Sequence, residues 1–181
     1  MHKIVAIVGM CGSGKSELTQ LFLADGYDSI HFGDVTMNEM KRRGLPVCEA
    51  NERSIREEVR AKYGLGAYAI ILLPEILEKA KNAPLVLDGL YSWSELKYLR
   101  EKLGEDISVL AIITNRALRK QRLACRDIRP LTSEEVDRRD AAEIENLEKG
   151  GPISAADYYV LNNGTPEELK AQYEAWKASQ G

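Results

Sequence analysis

Hydrophobic residues in this chain fall into five short runs, and longer segments with helical periodicity separate them. The first run, residues 3–8, is continuously apolar after its lysine, as in a strand that is buried on both faces. The other four predicted strands are Ser29–Phe32, Leu85–Leu87, Ser108–Ile113 and Tyr158–Leu161. Strands that alternate with helices predict a parallel sheet with helices on both faces. Ligands bind such sheets beyond the carboxyl ends of the strands, so residues that follow a strand are the first candidates for function.

Two segments between the strands are unusually long or charged. Residues 34–82 exceed the length of one crossover and are predicted to hold three helices, at about 35–43, 51–62 and 67–81. We interpret them as a helical insertion that covers the acceptor side of the site. Residues 115–151 form a second, Arg-rich region.

The last helix has a clear predicted start. Thr165 is a suitable N-cap, and Pro166 follows it at the first helical position. Leu169, Tyr173 and Trp176 recur at helical spacing, which predicts that they pack in the core.

The segment Gly9–Ser16 fits the phosphate-binding pattern G-x-x-x-x-G-K-[ST] between a predicted strand and a predicted helix. Its glycines let backbone N–H groups point at one anion, and the helix N-terminus adds positive potential. We expect Lys15 to reach the terminal phosphates of a nucleotide and Ser16 to bind Mg²⁺. The alternative is a glycine-rich structural turn. The candidate nucleotide-binding residues here are Gly9, Met10, Cys11, Gly12, Ser13, Gly14, Lys15, Ser16 and Glu17.

Two aspartates follow predicted strands. Asp88 ends the third strand, where an acidic residue commonly serves as the second Mg²⁺ partner, and the alternative is a turn residue. Asp34 follows the second strand and is predicted to act as general base toward an acceptor hydroxyl, or as the N-cap of the next helix. His31 lies within the second strand, and we expect it to be packed rather than catalytic.

A row of arginines follows the fourth strand. We expect Arg119, Arg122 and Arg126 to share one helix face, and we predict that these three and Arg129 close over the transferred phosphoryl group. The alternative is a solvated charged face that Asp127, Glu134, Glu135 and Asp137 neutralise. We expect Tyr91 and Trp93 either to line a substrate pocket or to belong to the core.

Composition limits the class of protein. A chain of 181 residues suits a single α/β domain, residues 1–181. A net charge of −3 gives no reason to expect nucleic acid or an acidic membrane as a partner. No apolar run approaches the roughly 20 residues that span a bilayer, and the chain enters its first strand without room for a signal peptide. The three scattered cysteines favour a reducing, cytoplasmic setting, with Cys11 as a small space-filling residue.

Taken together, these motifs resemble those of nucleotide kinases with a P-loop. The resemblance is strongest to dephospho-CoA kinase and to a family of small archaeal and bacterial kinase-like proteins related to adenylate kinase. It covers nearly the whole chain and includes Gly9–Ser16, Gly33–Val35, Lys41–Leu45, Leu87–Gly89, the helix with Arg119 and Arg122, Ala156–Tyr158, Asn162–Thr165 and Glu167–Leu169. It implies a three-layer α/β/α fold with a five-stranded parallel sheet, a helical acceptor-binding region and a short mobile lid. It also implies that Asn163, Gly164 and Thr165 lie against the nucleotide base.

Two departures from the family pattern concern the acceptor. Nucleoside monophosphate kinases have arginines where this chain has Met37 and Tyr91, and those arginines grip the acceptor's phosphate. Dephospho-CoA kinases have an aspartate at the position of Asp34, where it serves as base toward a ribose hydroxyl. We therefore expect an ATP- and Mg²⁺-dependent kinase, a monomer or weak homo-oligomer, whose acceptor is a nucleoside-like or CoA-like hydroxyl compound.

Other functions stay open. They are a nucleoside monophosphate kinase, an NTPase or switch that acts on a protein partner, and a degenerate kinase. Residues 114–117 lack the N-K-x-D motif of GTPases, and residues 88–91 lack the D-x-x-G spacing of a γ-phosphate switch.

Overall fold

A single parallel sheet organises the protein. The computed structural model describes residues 2–127 and 130–180. The strands are β1 (Ile4–Val8), β2 (Asp28–His31), β3 (Leu85–Asp88), β4 (Ile107–Ile113) and β5 (Tyr158–Leu161). Their order across the sheet is β2-β3-β1-β4-β5, and every neighbouring pair is parallel. The five predicted strands are thus confirmed to within about a residue at each end.

Helices cover both faces of the sheet. They are α1 (Lys15–Ala24), α2 (Asp34–Arg43), α3 (Glu49–Tyr63), α4 (Ala67–Lys79), α5 (Trp93–Leu103), α6 (Arg116–Ala124), α7 (Ser133–Glu145), α8 (Gly150–Ser154) and α9 (Pro166–Ala178). The three-layer α/β/α fold with a five-stranded parallel sheet is therefore confirmed.

The central strand shows why the sheet has two cores. All five residues of β1 are buried. Because successive side chains point to opposite faces, Ile4, Ala6 and Val8 pack in a core with α4 and α5. Val5 and Ile7 pack in the opposite core with α1 and α9. A continuous apolar run was therefore the correct signal for a strand between two helical layers.

The predicted helices of residues 34–82 are present as α2, α3 and α4. In the chain they follow the edge strand β2 and precede β3. Gly44 ends α2 in the left-handed conformation (φ 65°), where a side chain would be strained. Gly64 ends α3 in the same region of positive φ. These turns give the three helices their separate directions.

The last helix starts as predicted. The hydroxyl of Thr165 accepts a hydrogen bond from the backbone N–H of Glu168, and the Glu168 side chain completes the capping box. Leu169, Tyr173 and Trp176 are buried, as their spacing indicated. Among the described residues, no helix combines the length and apolar character that crossing a bilayer requires.

Candidate functional site

The P-loop connects the end of β1 to the start of α1. Gly12 (φ 79°) and Gly14 (φ 97°) both have left-handed conformations that L side chains rarely adopt. Lys15 is the first residue of α1, and its ammonium group donates to the carbonyl oxygens of Gly9 (3.0 Å) and Met10 (3.1 Å). The side chain is therefore folded over its own loop, at the helix end where anions bind.

Side chains of neighbouring elements hold the loop by hydrogen bonds to its backbone oxygens. The backbone oxygen of Ser13 accepts from Nδ2 of Asn162 (2.8 Å) and from the hydroxyl of Thr114 (2.9 Å). The backbone oxygen of Cys11 accepts from Nη1 of Arg119 (3.0 Å). Cys11 is buried, in agreement with its predicted space-filling role. These contacts fix the loop through α6 and through the residues that directly follow β4 and β5.

Two buried polar groups near the loop lack a hydrogen-bond partner in the described part of the chain. The hydroxyl of Ser13 is buried, and no partner for it occurs among residues 2–127 and 130–180. Nη1 of Arg122 is also buried without a partner in those ranges, although Nη2 lies 3.5 Å from Oδ1 of Asn162. Neither residue is among those that line the cleft on the P-loop, so these two buried groups belong to the support of the loop.

A cleft of about 200 Å³ opens on the P-loop. Its walls include Lys15, Ser16, Glu17, His31, Asp88, Tyr91, Arg126, Arg139, Glu143 and Lys149. Burial, reinforced by the nearby Lys149 ammonium, lowers the pKa of Lys15 to about 8. Among the described residues that line the cleft, four are cations and three are carboxylates, and an anionic ligand would stabilise the cations that lack a full negative partner.

A cluster of α7 and the following turn supplies much of that charge, with Glu143 and Lys149 buried and Arg139 half-exposed. Lys149 is 2% exposed and donates to Oε2 of Glu143 (2.8 Å), and Nε of Arg139 donates to Oε1 of the same carboxylate (3.2 Å). Burial opposes the ionisation of Glu143, but the two cations outweigh it and hold the pKa of Glu143 below its ordinary value. The ammonium of Lys149 also lies over the ring of Tyr91, 5.2 Å from the ring centre.

Sequence reasoning missed this cluster. Arg139 and Glu143 are four residues apart on a helix whose charges look like an ordinary solvated face. The i,i+4 pairing was the available signal, but it says nothing about burial. Tyr91, which was predicted to line a pocket or to belong to the core, lines the cleft. Burial and the neighbouring carboxylate of Asp88 raise the pKa of Tyr91, so its hydroxyl stays protonated.

Two predicted Mg²⁺ ligands lie on the cleft wall. Asp88 ends β3, and Ser16 is an exposed residue of the first turn of α1. In the described part of the chain, no group of three or more Asp, Glu, His or Cys side chains could hold a metal ion. Ser16 and Asp88 fit a cation that takes its other ligands from nucleotide phosphates and water, as Mg²⁺ does.

The predicted arginines have different surroundings. Arg119 is buried, and its guanidinium binds both carboxylate oxygens of Asp140 (2.9 and 2.6 Å), so it braces the loop instead of facing the cleft. Arg126 lies beyond the end of α6 and lines the cleft. The expectation that Arg119 and Arg126 share a helix face is wrong, because α6 ends at Ala124. Arg129 lies outside the described residues.

The acceptor-side candidates differ from expectation in two respects. Asp34 is the first residue of α2, and its N-cap is Gly33, so the interpretation of Asp34 as N-cap is wrong. His31 was expected to be packed, but its side chain is 49% exposed, and Nδ1 lies 3.1 Å from Oδ1 of Asp34. Both residues line a second cavity of about 750 Å³, between the edge of β2 and helices α2, α3 and α4.

The residues predicted to contact the nucleotide base lie in the turn after β5. Oδ1 of Asn163 accepts from the backbone N–H of Asn115 (2.8 Å), which joins this turn to the start of α6. Gly164 and Thr165 are exposed beside it, and Thr165 caps α9. The adjacent Asn162, which supports the P-loop, was not predicted.

Comparisons with known proteins identify relatives that match nearly the whole chain. No family model matches the chain. A UPF0200 protein of Thermococcus kodakarensis is 32% identical over 173 residues, which are 93% of each chain. A UPF0200 protein of Pyrococcus horikoshii is 33% identical over 175 residues, which are 94% of each chain.

Solved structures show the same fold. TT1252 from Thermus thermophilus superposes with a TM-score of 0.68 at 22% identity and full coverage of both chains. Shikimate kinase from Bacteroides thetaiotaomicron gives a TM-score of 0.60 at 11% identity and 98% coverage of each chain. The fold is therefore that of P-loop kinases, and the chain belongs to the UPF0200 family.

Proposed function

We propose that this protein is an ATP- and Mg²⁺-dependent phosphotransferase whose acceptor is a small hydroxyl compound of the CoA-like or nucleoside-like class. The observation that carries the proposal is the charge around the P-loop. Lys15, Arg126, Arg139 and Lys149 line one cleft of about 200 Å³. Phosphoryl transfer needs such cations over the phosphate oxygens in the transition state.

The donor side follows from the loop. Backbone N–H groups of the P-loop and the ammonium of Lys15 would bind the β- and γ-phosphates. Ser16 and Asp88 would hold Mg²⁺, which supplies further neutralisation of phosphate charge when it is bound. Arg126 replaces Arg119 as the cleft-facing member of the predicted arginine row.

The acceptor side is the larger cavity. Its volume of about 750 Å³ lies in the range of small-molecule sites, and Val35, Val59 and Leu72 give it an apolar wall. Its guanidinium groups already have partners: Arg42 binds Glu39, and Arg43 binds Glu39 and Glu58.

The residues that replace the phosphate-gripping arginines support the same acceptor class. Met37 is partly exposed on α2, and Tyr91 is held in its neutral form. A phosphate dianion would therefore find few unpaired cations, whereas a hydroxyl compound needs none.

An ATP-consumption screen with purified protein tests the proposal. Dephospho-CoA, nucleosides and nucleoside monophosphates are offered separately with ATP and Mg²⁺. We expect ATP turnover to rise with a hydroxyl acceptor and to be lost in Lys15→Met. Lys170→Met, which removes an exposed lysine of α9, is the matched control and should keep full activity.

The other outcomes separate the alternatives. Phosphorylation of a monophosphate alone would refute the hydroxyl acceptor and indicate a nucleoside monophosphate kinase. ATP hydrolysis that no small molecule accelerates would refute the phosphotransferase and favour a nucleotide-dependent switch. ATP binding without any turnover would indicate a degenerate kinase.

A further inference from the structure

His31 lies where the two cavities of the site meet. It ends β2 in register with Asp88 at the end of β3, and its side chain lines both the P-loop cleft and the larger cavity. Asp34 lines the larger cavity and is not among the residues of the P-loop cleft. The imidazole is therefore the member of this pair that faces the donor and acceptor spaces together.

The contact with Asp34 defines the chemistry of the ring. Nδ1 of His31 lies 3.1 Å from Oδ1 of Asp34, within hydrogen-bond distance. An ionised carboxylate only accepts hydrogen bonds, so Nδ1 carries the proton and Nε2 keeps its lone pair while the ring is neutral. A carboxylate that fixes the tautomer and orientation of a histidine in this way is a recurrent arrangement for general bases.

Gly33 provides a second, independent observation. Its backbone (φ −62°, ψ −21°) is in the right-handed helical region that any residue adopts, so the conformation does not require glycine. A Cβ atom at this position would lie 2.5 Å from Cε1 and 3.1 Å from Nδ1 of His31. Because Gly33 has no side chain, the imidazole of His31 can occupy this space beside Asp34.

We propose that His31 is the general base of the phosphotransferase and that Asp34 is its positioning residue, an inference that rests on the proposed function. The acceptor hydroxyl gives its proton to Nε2 of His31 while its oxygen bonds to the γ-phosphorus. The bond from that phosphorus to the β,γ-bridging oxygen breaks, and its electron pair leaves with ADP. The imidazolium then releases its proton to water.

The dyad also narrows the acceptor class. A neutral hydroxyl is a weak nucleophile and gains from a base that takes its proton. The oxygens of a monophosphate are already anionic at neutral pH and need no such base. A histidine held by a carboxylate at the junction of the cavities is therefore useful for a hydroxyl acceptor.

Variants of the dyad test the inference with dephospho-CoA and nucleosides as the acceptor probes. We expect His31→Ala to lower kcat by about 10²- to 10⁴-fold while the KM for ATP changes little. Added imidazole should restore part of the rate of His31→Ala, because a free base enters the vacated space. Gly33→Ala should also lower kcat, although it removes neither functional group. His2→Ala, at the other histidine of the chain, is the control and should keep full activity.

Nuclear magnetic resonance tests the role of Asp34 separately from turnover. The protein has two histidines, so the spectrum of His31→Ala assigns the ¹⁵N signals of the His31 ring. We expect the neutral ring of the wild type to carry its proton on Nδ1 and Asp34→Asn to lose that preference. Asp34→Asn should lower kcat in parallel.

The outcomes distinguish the two proposals. A wild-type protein that phosphorylates none of the hydroxyl probes would refute the proposed function, and the catalytic role of the dyad with it. Wild-type transfer that His31→Ala fully retains would overturn the dyad alone. The dyad would also be overturned if His31→Ala folds and loses activity, but imidazole does not restore that activity and Gly33→Ala does not reproduce the loss. A neutral ring protonated on Nε2 would overturn the role of Asp34.

Discussion

Replacing Lys15 with methionine should remove a pH-dependent contribution of this side chain to the stability of the protein. Burial and the Lys149 ammonium lower the pKa of Lys15 from 10.5 to about 8. Between these pH values the unfolded chain binds more protons than the folded chain, so the wild type gains stability as the pH rises. At about 1.4 kcal/mol per unit, the charged ammonium costs the folded state about 3 kcal/mol below pH 8.

The hydrogen bonds of the ammonium offset part of this cost. Lys15 donates to the carbonyls of Gly9 and Met10, and each bond contributes about 1 kcal/mol. Lys15→Met is therefore expected to be about 1 kcal/mol more stable than the wild type near pH 7. The wild type gains about 2 kcal/mol by about pH 9.5, so the variant becomes the less stable protein there.

Urea unfolding at the two pH values measures this reversal. Lys170→Met removes an exposed lysine and should follow the wild type at both values. Calorimetry should show that ATP–Mg²⁺ binds the wild type most tightly below about pH 8 and does not bind Lys15→Met. A difference between Lys15→Met and the wild type that stays constant with pH would refute the assigned burial of this charge.

Three further variants probe the support of the site. Arg119→Met leaves the buried Asp140 carboxylate without its partner and should lower the free energy of unfolding by about 3–5 kcal/mol in urea denaturation. Gly14→Ala places a Cβ at φ +97° and 2.1 Å from Nδ2 of Asn162, so thermal unfolding and ATP calorimetry should both show losses. Burial raises the pKa of Glu95 from 4.5 to about 7, so the wild type loses stability as the pH rises through that range. Glu95→Gln should therefore be more stable than the wild type by up to about 3 kcal/mol near pH 8, and equally stable below about pH 4, in urea denaturation.

Matched controls make these results specific. Gly26 has φ +84° with no atom within 4 Å of an added Cβ, so Gly26→Ala reports backbone strain alone, about 1 kcal/mol. Equal losses in Gly14→Ala and Gly26→Ala would contradict the Asn162 contact. Replacing both Arg119 and Asp140 with methionine should recover most of the stability that Arg119→Met loses, because no unpaired charge remains buried. If Glu95→Gln and the wild type were equally stable at high pH, the ionisation of this carboxylate would carry no cost in the folded protein.

The sequence predicts the elements of this fold well because each depends on local patterns. The five strands are apolar runs, and β1 is recognisable because both of its faces are buried. Thr165 and Pro166 mark the start of α9 through their own backbone chemistry. The P-loop is predicted for the same reason, since its glycine positions and its lysine follow from local geometry.

The environments of the charged residues depend instead on distant partners. Arg119 and Asp140 are 21 residues apart, and either helix taken alone looks solvated. His31 appears packed from its place in a strand, but β2 is an edge strand, and Gly33 opens the space beside it. Such contacts need the tertiary structure, because helical or strand spacing does not specify which face of one element meets another.

The charge balance of the cleft identifies the cation that should change most when ATP binds. Burying a charge is costly unless it is paired. Glu143 pairs with both Lys149 (2.8 Å) and Arg139 (3.2 Å), so these cations have an anion before any ligand arrives. Lys15 binds two backbone carbonyls of its loop, which carry only partial charge. Phosphate oxygens would supply the anion that Lys15 lacks, so the pH dependence of ATP affinity near pH 8 should report the protonation of Lys15.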